Sequence, residues 1–253
     1  MSSLKYFFQL YYKIYLPMND FNLKEIILYE DEHILALNKP AGILSIEDGY
    51  DVKKINLRSC LRDMYGTIWA VHRLDKYTSG VIIFSKTENS HRKFNALFSS
   101  HETNKNYRAI IHGFPIWNSY EITLPLKVNG DKKHRTVIDM ANGKPALTLV
   151  KPLSRCANFS YLDIFPRTGL THQIRAHLSA IGFPIFGDDL YWRCCEIRNS
   201  KISTPVYYFE RYYLHAYSLK FPHPTSNEMM TIIAPVPFSF NQLLKEMKLC
   251  ETC

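Results

Sequence analysis

Strand-like segments in this chain follow one another directly, with few helices between them, and that order excludes many architectures before any single residue is weighed. Residues 25–29 and 33–37 are short apolar runs joined by a turn at 30–32. A buried strand is expected over 80–85 and another over 105–114. Several more fall within 121–166, with polar breaks at 129–134 and 141–144, and two near 214–221 and 228–234. Helical spacing is more sparing. Residues 57–64 suggest a short helix, and Thr87 is a suitable N-cap for a helix carrying His91, Phe94, Leu97, Phe98 and His101. Ile174, His177, Leu178 and Ile181 recur at i, i+3, i+4 and i+7, and a last helix is expected near 239–248. Strands in runs, rather than in alternation with helices, predict an α+β domain with a mixed, largely antiparallel central sheet flanked by helices and loops.

No tract rich in Pro, Gly or Ser divides the 253 residues, so 23–253 reads as one domain of catalytic size. Residues 1–22 stand apart: up to Met18 they hold two lysines, no acid and many aromatic and aliphatic side chains. They read as an N-terminal arm or as a transit segment; the latter would place the protein in the mitochondrion, the former in the cytoplasm. No stretch reaches the roughly 20 apolar residues of a membrane span, and no membrane partner is expected. The six cysteines show neither framework spacing nor a secretory signal peptide before them, which fits a reducing, intracellular compartment. Cys250-Glu-Thr-Cys253 is a lone CxxC with no second pair, a weak zinc signal, and Cys194-Cys195 reads as structural. With 31 basic against 23 acidic residues, a net +8, the chain suits a polyanionic partner, nucleic acid before a membrane surface.

The densest knot of functional atoms is His72-Arg73-Leu74-Asp75-Lys76-Tyr77-Thr78-Ser79-Gly80, set between an apolar approach and an apolar strand. A charged turn with Asp75 capping locally would be the plain explanation. A second knot, Arg167-Thr-Gly-Leu-Thr-His-Gln-Ile-Arg175, argues for more, because it also lies between a strand and a helix. Arg175 is next to Ile174 of the helical stripe, at the edge of the face expected to be buried. A guanidinium there can reach an inward-pointing carboxylate and keep it ionised. His172 and His177 are five residues apart, off the i, i+4 spacing of helical metal ligands, so His177 is expected to be a satisfied core or supporting histidine.

Residues 72–80 resemble, without a mismatch, the H-R-L-D-x-x-T-S-G signature of the RluA-type pseudouridine synthases. Asn38-Lys-Pro-Ala-Gly42 is similar to their K-P-x-G element, Lys105-Asn-Tyr107 to K-x-Y, Gly143-Lys-Pro-Ala146 to G-K-x-A, and residues 168–175 to T-G-R-T-H-Q-I-R. Gly187-Asp188 and Leu214-His215-Ala216 follow in family order, so the resemblance runs over about residues 25–235. It implies a pseudouridine synthase-type catalytic domain with its active-site cleft across the sheet, isomerising uridine to pseudouridine in structured RNA. Ribosomal RNA is the first substrate expected and transfer RNA the second; with a transit segment, mitochondrial large-subunit rRNA. The resemblance makes Asp75 the catalytic carboxylate. Arg73 fills the place of the extruded base, Tyr107 lies against that base and its oxygen can receive the C5 proton, and Arg175 pairs with Asp75. His72 and Leu214 complete the substrate-binding set. No metal or redox cofactor is implied, and a monomer is expected.

Two departures qualify this. Leu170 stands where the pattern has Arg, so a cation at the site entrance is missing unless Arg167 supplies it. The 24 residues before the first strand are too few for the family's optional S4 RNA-binding module, so grip on RNA would fall to the basic surface, such as Lys53-Lys54, Arg92-Lys93 and residues 131–135. Two rival readings are a non-catalytic RNA-binding or ribosome-assembly factor that keeps the fold, and a hydrolase pairing Asp75 with a second carboxylate such as Asp163.

Overall fold

The computed structural model describes residues 22–48, 54–156, 158–192 and 212–249. The N-terminal arm up to residue 21, Lys53, the Cys194-Cys195 pair and the Cys250–Cys253 motif lie outside the described residues. Of the remaining cysteines, Cys60 and Cys156 are free thiols.

Ten of the twelve strands among the described residues form one sheet. Its path runs β1 (Ile27–Glu30), β2 (Ile34–Lys39), β4 (Ser79–Ser85), β11 (Leu214–Pro222), β5 (Asn104–His112), β10 (Phe159–Pro166), β9 (Thr148–Cys156) and β6 (Tyr120–Ile122). The short β3 (Trp69–Ala70) pairs with β4, and β12 (Met229–Ile233) with β11. A separate ribbon joins β7 (Leu126–Lys127) to β8 (Val137–Ile138). Of these strand pairs only β4 with β11 is parallel, so the sheet is mixed and largely antiparallel, as the strand order in the sequence predicts. The first strand starts at Ile27 rather than at residue 25 because Leu23–Ile26 form a 3₁₀ turn, whose Lys24 amide donates to the Asn22 side chain at 3.1 Å.

Strand alternation divides the core. In β4, Val81 and Ile83 join Ile34, Ala36, Phe94 and Phe221 on one face, while Ile82 and Phe84 join Leu35, Leu37, Leu57 and Leu61 on the other. Helix α1 (Leu57–Tyr65), started by the reciprocal Asn56–Ser59 capping box, covers the second face. Helix α2 (Glu88–Ser99) begins, as expected, at Thr87, whose side chain accepts from the Ser90 amide, and it covers the first face with Phe94. In the other half, α3 (Gln173–Ala180) lies on a cluster with Ala109, Ile111, Leu162 and Ile164. The single turn α4 (Asp189–Trp192) packs beside α3 through Tyr191 and Ala176. Helix α5 (Phe238–Glu246) covers the opposite side around Ile110 and Tyr161.

One expectation is corrected. The spacing over 174–181 predicts a single apolar stripe with Arg175 at its edge, yet every residue from Gln173 to Ser179 is buried. The helix is held between the sheet on one side and Leu126, Ala146 and Tyr191 on the other, so its polar residues are enclosed too and must find partners inside.

Candidate active site

Tyr107 packs against both the cluster under α3 and the cluster under α1, and marks the seam between the two halves of that face. A cleft of about 570 Å³ opens along this seam, within the usual range of ligand sites. Asp75 enters it from the loop between β3 and β4.

That loop is fixed by residues far away in sequence. Lys39 is fully buried, and its ammonium donates to the carbonyls of Pro40 at 3.0 Å, Ile43 at 2.8 Å and Lys76 at 3.1 Å. Burial pushes its pKa down to about 7, against the attraction of Asp75. Three carbonyl acceptors nevertheless use all three protons of an ammonium, so Lys39 binds there as a cation. The Gly42 amide also donates to Lys76 O, at 2.8 Å, so the Lys-Pro-Ala-Gly element serves physically to tie β2 to the loop carrying Asp75. Ser45 clamps the residue before Asp75, donating to Leu74 O at 2.9 Å and accepting from Leu74 N at 3.0 Å. At the far end of the loop, Gly80 has φ +110°, and a Cβ there would lie 2.1 Å from Ala216 O. Only glycine lets β4 approach β11 at their parallel pairing of Gly80 with Ala216.

Arg175, 5% exposed, comes from the first turn of α3. Its Nη1 donates to Asp75 Oδ2 at 3.3 Å, so the expected pairing is present in the geometry. Its two shorter bonds, however, go to Asp188: Nε to Oδ2 at 2.6 Å and Nη2 to Oδ1 at 2.9 Å. Burial disfavours the guanidinium charge, but the Asp188 hydrogen bonds, together with the neighbouring charges of Asp188 and Asp75 and the Tyr212 phenol, outweigh it and hold Arg175 firmly ionised. Its plane also lies over the rings of Tyr212, 4.3 Å away, and Tyr191, 4.9 Å away. In the sequence Asp188 stands out only by its place in family order; its charge-balancing contact is set by the tertiary fold.

Two further groups face Asp75. The Tyr212 hydroxyl donates to Oδ2 at 3.2 Å, and His172 Nε2 lies 3.6 Å from the same oxygen. His172 has φ +56° just before α3, and its Nδ1 hydrogen-bonds with Tyr191 OH at 3.1 Å. Burial lowers its pKa, so the imidazole is neutral. Gln173 secures the adjacent loop with all of its amide capacity. It accepts from Thr168 Oγ1 and Leu170 N and donates to Leu147 O and Thr148 Oγ1.

The other expected site residues fall as follows. Tyr107 and Leu214 line the cleft. Burial and the Asp75 charge raise the Tyr107 pKa, so its phenol is protonated; this suits a stacking surface better than an acceptor of the C5 proton. His72 lines the cleft as well, but its Nε2 accepts from Ile83 N at 3.1 Å and its ring contacts Phe98, so it also anchors β4. Burial pushes its pKa down to about 3, and it is neutral. Arg73 is exposed at the cleft and in no ion pair among the described residues. Leu170 packs with Leu126, Ala146 and Tyr191. Arg167 does not take over an entrance cation: it bonds Asn104 Oδ1 at 3.2 Å, outside the cleft lining. Lys105 and Lys144 line the cleft instead. Lys105 donates to Thr168 O, and burial brings its pKa down to about 8. Asp163 is likewise outside the lining, 3.4 Å from Arg108, so it is not a second carboxylate for Asp75. His177 bonds Thr148 Oγ1 and Leu124 O, the satisfied core histidine expected. Among the described residues no group of three His, Cys, Asp or Glu side chains could hold a metal, and no helix is long and apolar enough to cross a membrane.

A cleft on a mixed sheet, with one carboxylate held against a buried guanidinium and basic side chains around it, is a site fitted to a polyanionic substrate and to chemistry by a single carboxylate. The sequence profile described as RNA pseudouridylate synthase matches residues 33–180, well over half of the chain. Dual-specificity RNA pseudouridine synthase RluA of Pasteurella multocida is 34% identical over 213 residues, covering 84% of this chain and 93% of the relative. Ribosomal large subunit pseudouridine synthase D of Zymomonas mobilis is 32% identical over 229 residues, 87% of this chain and 71% of the relative. Among solved structures, the human protein RNA Pseudouridylate Synthase Domain Containing 4 shares the fold, with a TM-score of 0.72 at 24% identity over 89% of this chain and 94% of that one. The chain belongs to the RNA pseudouridylate synthase family, of the RluA type, and is an isomerase.

Proposed function

We propose that the protein converts a uridine of structured RNA to pseudouridine at the Asp75 cleft, ribosomal RNA being the first substrate and transfer RNA the second. The reaction breaks the C1′–N1 bond, forms a C1′–C5 bond, releases the C5 proton and returns one proton to N1. Atoms and oxidation state balance without a redox partner. The observation that carries the reading is the Asp75 carboxylate inside a cleft whose innermost cation, Arg175, is buried and neutralised separately by Asp188.

In this reading the Asp75 carboxylate accepts hydrogen bonds from Arg175 and from the Tyr212 hydroxyl, which hold it in place for the reaction. A base within a folded RNA reaches Asp75 only by leaving its stack. Arg73, exposed at the cleft, takes the vacated place, and Tyr107 and Leu214 provide apolar surface against the everted uracil. The ribosomal preference rests on the name of the Zymomonas mobilis relative; the dual specificity named for the Pasteurella multocida one leaves room for a second RNA class, and transfer RNA is the one proposed. If residues 1–22 direct the chain to mitochondria, the substrate becomes the large-subunit rRNA of that organelle.

Transcriptome-wide pseudouridine mapping, in cells lacking the protein and in the same cells given wild type or Asp75→Asn, tests this. The reading expects one or a few ribosomal sites to vanish and to return only with wild type. Sites restored equally by Asp75→Asn, or no site lost, would contradict it.

A further inference from the structure

We infer that Tyr212 is a positioning residue for the catalytic carboxylate: together with Arg175 it anchors Asp75 Oδ2 and leaves Oδ1 as the oxygen offered to the substrate. The inference rests on the function proposed above for Asp75. Among the described residues, the polar contacts of the Asp75 carboxylate all fall on Oδ2: Tyr212 OH at 3.2 Å, Arg175 Nη1 at 3.3 Å and His172 Nε2 at 3.6 Å. The terminal torsion of an aspartate is broad and two-fold, so one such contact alone would let the two oxygens exchange places. Donors converging from separate elements make the carboxylate asymmetric, with one oxygen held and the other presented.

The surroundings of Tyr212 suit it to this role. It is 6% exposed; its ring carries the Arg175 guanidinium at 4.3 Å and meets Tyr77 edge-on at 6.2 Å. Its hydroxyl also lies 3.2 Å from Thr78 Oγ1. Tyr212 has a single hydroxyl proton, and giving it to Asp75 leaves its oxygen to accept from the Thr78 hydroxyl. The order Thr78 to Tyr212 to Asp75 fixes the direction of the bond and gives the threonine of the 72–80 knot a purpose. Burial and the Asp75 charge raise the Tyr212 pKa well above its ordinary value, so the phenol remains a donor. Arg175 cannot replace it, since the two short bonds of that side chain already belong to Asp188.

Tyr212→Phe removes only the hydroxyl and keeps the ring on Arg175; Thr78→Val removes only its direction. With C5-tritiated uridine RNA in single turnover, the Phe variant is expected to lose roughly 10- to 100-fold in rate, with RNA affinity within about twofold of wild type. Thr78→Val should lose less, and the double variant no more than Tyr212→Phe alone, because Thr78 acts through Tyr212. A Phe variant at the wild-type rate, or one whose loss lies wholly in RNA affinity, overturns the inference. Should the Phe variant not fold, Thr78→Val carries the test, and a wild-type rate there overturns the inference. If wild type itself releases no tritium, the functional reading fails, and crystal structures then decide the positioning. The carboxylate should turn or split between two orientations in Tyr212→Phe, and an unmoved carboxylate overturns the inference.

Discussion

Asp188 sets the terms for the residues around it. Arg175 is buried, and Asp188 is the group that balances its charge at 2.6 and 2.9 Å, while Asp75 touches the third nitrogen at 3.3 Å. That division leaves the guanidinium tightly held and the Asp75 carboxylate more lightly held, open on its second oxygen. Removing the Asp188 charge would strand a buried cation, so Asp188→Asn is expected to lower unfolding stability by about 3–5 kcal/mol in urea titrations. A loss below about 1 kcal/mol would mean that Arg175 finds its counter-charge elsewhere. Arg175 is foreseeable as the partner of Asp75, from its place at the rim of an apolar stripe and from the resemblance. Asp188 has only its place in the family order, and Tyr212 carries no signal at all in the sequence. Tyr212 reaches Asp75 from 137 residues away, and such a contact exists only once β4 and β11 lie side by side.

The parallel junction of β4 and β11 is the element on which the site depends. Gly80, with φ +110° and a virtual Cβ 2.1 Å from Ala216 O, is the point of closest approach. Gly80→Ala therefore has to separate the strands, and a loss of about 4 kcal/mol or more, or failure to fold, is expected by denaturation. Near wild-type stability would contradict the close approach. The same junction is braced by His215, which is fully buried, with Nδ1 at 2.9 Å from Ser79 Oγ and Nε2 at 3.1 Å from Ala234 O. Burial pushes its pKa down to about 4 from an unfolded value of 6.5. The unfolded chain then binds more protons than the native one between those limits, so stability is complete above pH 6.5 and falls as the pH drops toward 4. The slope from this one histidine is at most about 1.4 kcal/mol per pH unit, and a urea midpoint flat from about pH 7 to 4.5 would argue against it. Most elements are legible in the sequence, because β4 is a continuous apolar run, α2 has a helical period with an N-cap at Thr87, and the other strands are short apolar stretches between polar breaks. The helix at 173–180 is legible as a helix but not as one enclosed on all sides: its second cover, with Leu126, Ala146 and Tyr191, comes from segments distant in sequence.

At the scale of the molecule, the net +8 and the cations around one cleft make RNA binding a counterion-release problem. Lys144 is exposed at the cleft, where Leu170 offers only apolar surface. Lys144→Gln is expected to reduce the slope of log affinity against log salt by about 0.7, the share of one contact to a single-stranded phosphate, with little effect on the rate once RNA is bound. An unchanged slope would place the RNA backbone elsewhere. The α+β class and the polyanionic partner can be read from strand order and charge, and the family from the 72–80 signature. Where the backbone of the substrate runs cannot, because basic pairs such as Arg92-Lys93 look alike in sequence whether they face RNA or water. On the proposed function, the Asp75 cleft moves uracil from N1 to C5 attachment without cutting the chain. Tritium release from C5-labelled uridine RNA, followed by nucleoside analysis of the same sample, tests it most directly. Wild type should release label in step with pseudouridine formation, with no free uracil and no strand breaks, and Asp75→Asn should release none. Label released equally by Asp75→Asn, or free uracil in place of pseudouridine, would contradict the account.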